Sequence, residues 1–311
     1  WTGNRITCRD WFQLSLKEGL TVFRDQTFSG DMNSHAVQRI DDVEQLRNFQ
    51  FPEDASPMAH PIRPDNYIEI NNFYTTTVYE KGAEVVRMQA TLLGEKLYRQ
   101  ATDLYFDRYD GKAVTCDDFV QCMQDVSGLD MTQFKLWYAQ AGTPEVTAKS
   151  VYDESAQTFT LTLSQHIPDT PNQTHKQPHH IPVAFGLLNP NGDDMIGTQM
   201  LHLKDRTEKF IFEQIPSRPV PSILRNFSAP VRLITDLSEQ DLRFLMVHDS
   251  DGFNRWEAAQ TLTLRLIGRM LDQMEVGHHA LVDRDYLESV TALIRQALND
   301  QGDKALIARM L

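Results

Sequence analysis

Trp1-Thr2-Gly3-Asn4-Arg5-Ile6-Thr7-Cys8-Arg9-Asp10-Trp11-Phe12-Gln13-Leu14-Ser15-Leu16-Lys17-Glu18-Gly19 opens the chain and governs how the rest is read. From residue 10 to about residue 25 the spacing predicts a helix. Trp11, Leu14, Glu18, Val22 and Asp25 fall at i, i+3, i+7, i+11 and i+14, one row of a helical period. The row is apolar except for its two carboxylates. A carboxylate on a buried face needs a cation, a hydrogen-bond donor or a metal, which makes Glu18 and Asp25 candidates for a site. On these residues alone, a salt bridge or a helix less buried than its pattern implies would serve equally well.

A second stretch, Phe73-Tyr74-Thr75-Thr76-Thr77-Val78-Tyr79-Glu80-Lys81-Gly82-Ala83-Glu84-Val85-Val86-Arg87-Met88, reads as the entry to another helix. By itself a Tyr at a helix start is a packing residue with its hydroxyl on backbone or water. An aromatic just before it, Tyr74, is commonly a staple. Between the two stretches, residues 48–72 are rich in Pro, Asp and Asn, including Ala59-His60-Pro61-Ile62-Arg63-Pro64-Asp65. Each Pro fixes its own φ and restrains its predecessor, so an ordered loop is expected, with His60 structural.

Together these residues carry a resemblance. The pattern W-x-G-N-x-[IV]-T-x-x-x-W followed by Leu16-Lys17-Glu18-Gly19 resembles the segment after the HExxH helix in zinc peptidases of the aminopeptidase N family. Y-x-K-G-x-x-V at Tyr79, Lys81 and Gly82 resembles that family's second hallmark, and Phe134-x-x-Trp137-x-x-Gln140-x-Gly142-x-Pro144-x-Val146 the end of its catalytic domain. The resemblance implies a Zn2+ cofactor with Glu18 as one ligand and Tyr79 as the catalytic tyrosine. It also implies that Tyr74 lines the pocket for the substrate's first side chain. Asp25, two turns beyond Glu18 on the same face, is then a candidate to orient a ligand histidine, with a helix-end or salt-bridge carboxylate as the alternative.

Such a zinc needs three protein ligands and an open position for water. In the family the other two are the histidines of HExxH, and here none of the ten His residues is followed by Glu. Seventeen residues precede Glu18; one more, and the second ligand His before it, would restore the family spacing. The chain begins with Trp in mid-motif, so a fragment of a longer polypeptide is expected, inactive alone and of doubtful zinc occupancy. The parent is then a zinc aminopeptidase releasing N-terminal residues from peptide substrates, with broad preference for alanyl, basic and apolar side chains. The competing reading is a non-catalytic family member serving as an interaction scaffold.

Composition narrows the classes. A formal charge of −13, from 43 acidic against 30 basic residues with no dense basic run, disfavours nucleic acid and anionic membranes as partners. No stretch is long and apolar enough to insert into a bilayer. Three Cys residues are too few for a disulfide framework, which points to a reducing, cytoplasmic compartment. Cys116 and Cys122 are read as half-buried helix positions. A monomer is the expectation for the parent.

The rest of the chain sets the organisation. Helices are predicted over residues 92–109, from Thr115 with a capping-box spacing to Asp118, and over 131–140, stopping at Gly142 with Pro144 beyond. Alternation at Thr158-Phe159-Thr160-Leu161-Thr162-Leu163, a turn at Asn189-Pro190-Asn191-Gly192, and short strands at Phe210-Ile211-Phe212 and Val231-Arg232-Leu233-Ile234 argue for a sandwich. His166, His175, His179 and His180 lie there among prolines and are read as exposed imidazoles rather than a metal site. Helical signals return over residues 240–248, 253–276 and 283–311. The expected architecture is α+β and multidomain: the C-terminal part of a thermolysin-like, mainly helical catalytic domain over 1–142, a small antiparallel β-sandwich over 143–237, and the start of an α-helical C-terminal domain over 238–311.

Overall fold

A computed structural model of the chain describes residues 3–279, 281–299 and 303–311. Trp1 and Thr2 of the opening motif, and residues 300–302 within the last predicted helix, lie outside the described residues. Strand β1 (Thr7–Cys8) is followed by a tight turn at Trp11–Gln13 and then by helix α1 (Leu14–Met32), longer than the sequence suggests. The predicted row is not its buried face: Leu14 is buried, but Trp11 and Asp25 are exposed. Leu16, Gly19, Leu20, Gln26 and Gly30 face inward instead, because small residues let α1 approach its neighbour closely.

Helix α2 (His35–Gln45) continues through a π-helical segment, Leu46–Gln50, into the short α3 (Phe51–Asp54). The loop expected from residue 48 therefore begins only after Asp54. Pro52 is a false loop signal here: it stands directly after the π-helical segment, and the helix runs on through it to Asp54. After the loop, a second π-helical segment, Thr77–Lys81, leads into α4 (Gly82–Tyr109), which kinks at Gly94, where φ is +71°. Strand β2 (Ala113–Val114) pairs in parallel with β1, and α5 (Cys116–Ser127) starts on the predicted capping box, Thr115 and Asp118 bonding each other's backbone N–H. Cys116 and Cys122 on α5 are fully rather than half buried. Of the helix expected over 131–140, only α6 (Leu136–Ala139) is regular, after a series of turns.

The β layer contains β3 (Glu145–Asp153), β4 (Thr158–His166), β5 (Ile181–Leu188), β6 (Asp194–Leu203), β7 (Thr207–Phe212), β8 (Val220–Ile223) and β9 (Arg232–Thr235). Two sheets face each other, in the orders β7-β4-β3-β9 and β6-β5-β8. All their neighbours run antiparallel except β3 and β9, which pair in parallel from Glu145 opposite Arg232. On β4 the buried residues alternate, Phe159, Leu161, Leu163 and Gln165, as one solvated face requires. Every residue of β5 is buried. Its start is pinned from two sides: Trp137 Nε1 donates to His180 O just before it, and Ser228 Oγ bonds Ala184 N–H and Pro182 O.

Helices α7 (Glu239–His248), α8 (Gly252–Glu275), α9 (Arg284–Leu298) and α10 (Lys304–Met310) complete the chain. Charged pairs tie the three parts together. Arg39 of α2 grips Glu84 of α4 through two hydrogen bonds of 2.7 and 2.6 Å and donates to the carbonyls of Asn226 and Phe227 at 3.1 and 3.0 Å. Arg47 reaches Glu257 of α8 at 2.7 and 2.9 Å. No described helix is long and apolar enough to cross a membrane.

His166 and His175 are exposed, but His179 and His180 are buried, against expectation. The prolines that suggested an open loop instead fold it against α6, where the His179 ring stacks on Trp137 at 4.3 Å. His180 Nε2 meets His202 Nδ1 at 2.8 Å. Burial, then the nearby Lys81 charge, lowers the His179 pKa to about 3; burial, then Lys204 and His202, lowers that of His180 to about 4. Unfolded, both rings would take a proton near about 6.5. Their contribution to stability is thus whole above that pH and is lost as pH falls toward the folded values. The urea midpoint should drop between pH 7 and pH 5 by the equivalent of about 1–2 kcal/mol per ring, and His180→Asn should flatten the slope; an unchanged slope in that variant would exclude His180 as a source.

Candidate active site

Gly19 of α1 and Gly82 of α4 meet backbone to backbone. A Cβ built on Gly19 would lie 2.6 Å from Gly82 C and 2.9 Å from its O, whereas one on Gly82 would lie 3.3 Å from Gly19 Cα. This crossing brings the residue before Gly19 beside the residue three before Gly82, that is, Glu18 beside Tyr79. Gly19→Ala should therefore cost about 1–3 kcal/mol, the usual range for overpacking against groups that cannot give. Gly82→Ala should cost less, and thermal melts of the two variants compare them directly.

The Glu18 side chain is 14% exposed and accepts Lys17 Nζ at 2.9 Å. The Tyr79 phenol lies against the same carboxylate: burial first, then the charge and hydrogen bonding of Glu18, push its pKa up to about 12. At neutral pH it keeps its proton and is a hydrogen-bond donor. Around the pair stands an aromatic shelf. Tyr74, 49% exposed, lies with its ring 6.3 Å from that of Tyr79 and 6.3 Å from that of Trp11, and Trp11 stacks on Phe73 at 6.4 Å.

Tyr79 sits within the second π-helical segment, a wide turn that π insertions commonly form at functional sites. Its backbone is braced from outside: Thr77 N–H and Oγ1 donate to Glu53 Oε1 at 2.8 and 2.5 Å. Two residues on, Lys81 is 1% exposed and donates to Asp54 Oδ2 at 2.7 Å and to Gly142 O at 3.0 Å. Burial raises the Asp54 pKa, but the Lys81 charge and hydrogen bond pull harder and hold it below the usual carboxylate range.

Of the residues singled out in the sequence, the structure brings together Glu18, Tyr79 and Tyr74. Asp25 lies exposed two turns further along α1, about 10 Å along the axis at 1.5 Å per residue. Among the described residues no group of three or more His, Cys, Asp or Glu comes close enough to hold a metal ion. Glu18 offers one carboxylate, and the donor set around it does not by itself fit a zinc. Sequence reasoning missed Lys17, Glu53 and Asp54; only the first carried a signal, its adjacency to Glu18.

Comparison with known proteins adds a family context. Residues 1–138 match the peptidase family M1 domain, residues 142–236 a domain of unknown function with an Ig-like fold, and residues 239–311 a domain of unknown function described as ARM repeats. The chain is 50% identical to aminopeptidase N of Escherichia coli across 100% of its length and 36% of that relative. It is 46% identical to aminopeptidase N of Haemophilus influenzae over 96% of the chain and 35% of that relative. The chain thus spans about a third of the length of the curated relatives it matches. Among solved structures, aminopeptidase A of Legionella pneumophila in complex with aspartic acid superposes with a TM-score of 0.83 at 29% identity, covering 100% of this chain and 34% of that one.

Proposed function

This chain belongs to peptidase family M1, and from that membership we propose that it supplies the Glu18 and Tyr79 side of a zinc aminopeptidase site acting on the free N-terminus of peptides. The observation that carries the reading is the Gly19–Gly82 crossing, which holds a carboxylate and a protonated phenol side by side. Glu18 is one of three protein ligands to zinc in this reading, and the other two come from outside these 311 residues. Tyr79 donates its O–H to the oxygen that gains negative charge as the first peptide carbonyl is attacked. Because the phenol is already protonated and held, it needs no rearrangement at that moment.

The half-exposed Tyr74, with Trp11 behind it, lines the pocket for the first side chain. An open aromatic shelf of this kind accommodates small, apolar and long basic side chains alike, which supports broad specificity. Asp25 is assigned to orient a ligand histidine supplied from outside. The three cysteines are free, which supports a reducing compartment and the cytoplasm as its place.

The test uses the longer polypeptide that carries the whole site. It should bind one zinc and cleave alanyl-arylamide but not its N-acetyl derivative, with activity lost to a chelator and restored by Zn2+. The 311-residue chain alone should turn over neither. Stoichiometric zinc and turnover by the short chain would overturn the division of ligands; failure of the longer polypeptide to cleave any free N-terminus would favour a scaffold.

A further inference from the structure

The N–H groups at the start of the Tyr79 helix have no intrahelical partners and must be met from elsewhere. Three are satisfied in a defined way. Thr77 N–H donates to Glu53 Oε1 at 2.8 Å, Val78 N–H to Thr75 Oγ1 at 3.2 Å, and Tyr79 N–H to Thr75 O at 3.1 Å. Thr75 Oγ1 lies in turn 2.8 Å from His60 Nε2, and His60 Nδ1 lies 2.8 Å from Met58 O.

The proton positions follow from what each atom is able to do. Met58 O is a carbonyl and only accepts, so Nδ1 of the neutral ring carries the proton and Nε2 accepts. Thr75 O–H then donates to Nε2, which leaves its lone pairs for Val78 N–H. Met58 O, His60, Thr75 and the Val78 amide therefore form one relay in which every donor has an acceptor. His60 is half-buried beneath the turn it supports.

We propose that His60 is a positioning residue for Tyr79: through Thr75 it fixes the π turn that holds the phenol beside Glu18. This rests on the catalytic reading of Tyr79 given above. Without the imidazole, the Thr75 hydroxyl is free to rotate away from Val78 N–H, and the turn loses the bond one residue before the tyrosine. Small displacements of a catalytic group are costly. His60→Ala should lower kcat about 10-fold in the longer polypeptide, within the range that misplacement of a group produces, with KM little changed. His60→Gln, whose amide still accepts from Thr75, should recover most of the loss. Thr75→Val should imitate His60→Ala, and Thr75→Ser should not.

The decisive experiment is a double-mutant cycle with Tyr79→Phe. If His60 acts through the phenol, adding His60→Ala to Tyr79→Phe should change kcat less than about 2-fold. A loss of about 10-fold in both backgrounds would overturn the proposal, as would an unchanged kcat in His60→Ala alone. Unchanged turnover in Tyr79→Phe by itself would sink the catalytic reading instead, so the two failures are distinguishable. A measurement independent of turnover uses the 311-residue chain. Amide hydrogen exchange at Val78 and Tyr79 should quicken by about 10-fold or more in His60→Ala and return toward the parent rate in His60→Gln. Equal protection in His60→Ala would show that the relay does not hold the turn.

Discussion

Tyr79→Phe, made in the longer polypeptide that carries the whole site, should lower kcat for alanyl-arylamide by about 10²–10³, the loss that follows removal of one oxyanion donor. KM and bound zinc should stay close to the parent values. In the proposed mechanism the phenol O–H would engage the substrate oxygen strongly only as charge develops there, so its loss should fall on the transition state rather than on substrate binding. The ring itself stays: the phenyl group of the variant would keep the packing against Tyr74 and the neighbouring shelf. Stability should accordingly change by about 1 kcal/mol or less, the net worth of one hydrogen bond. Steady-state kinetics with metal analysis checks this, and an unchanged kcat would remove Tyr79 from the mechanism.

The second large effect is on the fold. Lys81→Met should destabilise the chain by about 3–5 kcal/mol, since it leaves Asp54 as a buried charge without its ion-pair partner. Asp54 would keep the Gly142 N–H at 3.1 Å and Thr143 Oγ1 at 3.0 Å, but neither neutralises it. The pH dependence gives the test its sign. With Lys81 present the Asp54 pKa is lowered, so the stability it contributes is present above the unfolded value near about 3.9 and is lost as pH falls through the folded one. Without Lys81 the burial penalty on Asp54 is opposed only by its remaining hydrogen bonds, from Gln50, Gly142 N–H and Thr143, and by the Lys176 charge, so its pKa should rise. The variant should then lose least in acid, where Asp54 takes up a proton. Urea unfolding of both proteins from about pH 4 to about pH 8 spans this change and reads it directly. The double variant Asp54→Leu/Lys81→Met should recover most of the loss, because a buried pair replaced by apolar groups is often neutral. A full loss that persists in the double variant would show that the pair does more than neutralise itself.

These two residues are separated by a single position, and their difference marks where sequence reading stops. Helical spacing singles out Glu18 only as a carboxylate on an apolar row; its role and that of Tyr79 are legible through the resemblance of two local motifs to a known family. Tyr74 is legible for the same reason. That Lys81 is buried, and against which carboxylate, is not. Asp54 lies in a segment whose Pro52 resembles a loop signal, and its pairing with Lys81 and Gly142 depends on three stretches far apart in the chain. His60 shows the limit most clearly. Its partner Thr75 is 15 residues away, and nothing in either residue announces the other.

The buried face of α1 escapes the sequence for a related reason. A row of large apolar residues usually marks the core side, but here the side bearing Gly19 and Gly30 packs, and Trp11 is left to build the aromatic shelf with Tyr74. His179 and His180 are misplaced by pattern because prolines mark irregular backbone, not exposure.

The sequence by itself determined the order of helical, sandwich and helical parts, the cap at Thr115 and the strand alternation, while Glu18 and Tyr79 were singled out by motifs that resemble a known family. All of these are carried by residues that are neighbours along the chain. Only the tertiary structure decided which face of α1 is buried, how Glu18 and Tyr79 come into contact, and which residues hold the tyrosine's turn in place. Each of those is fixed by the meeting of backbones and buried charges from distant segments, which local pattern does not encode.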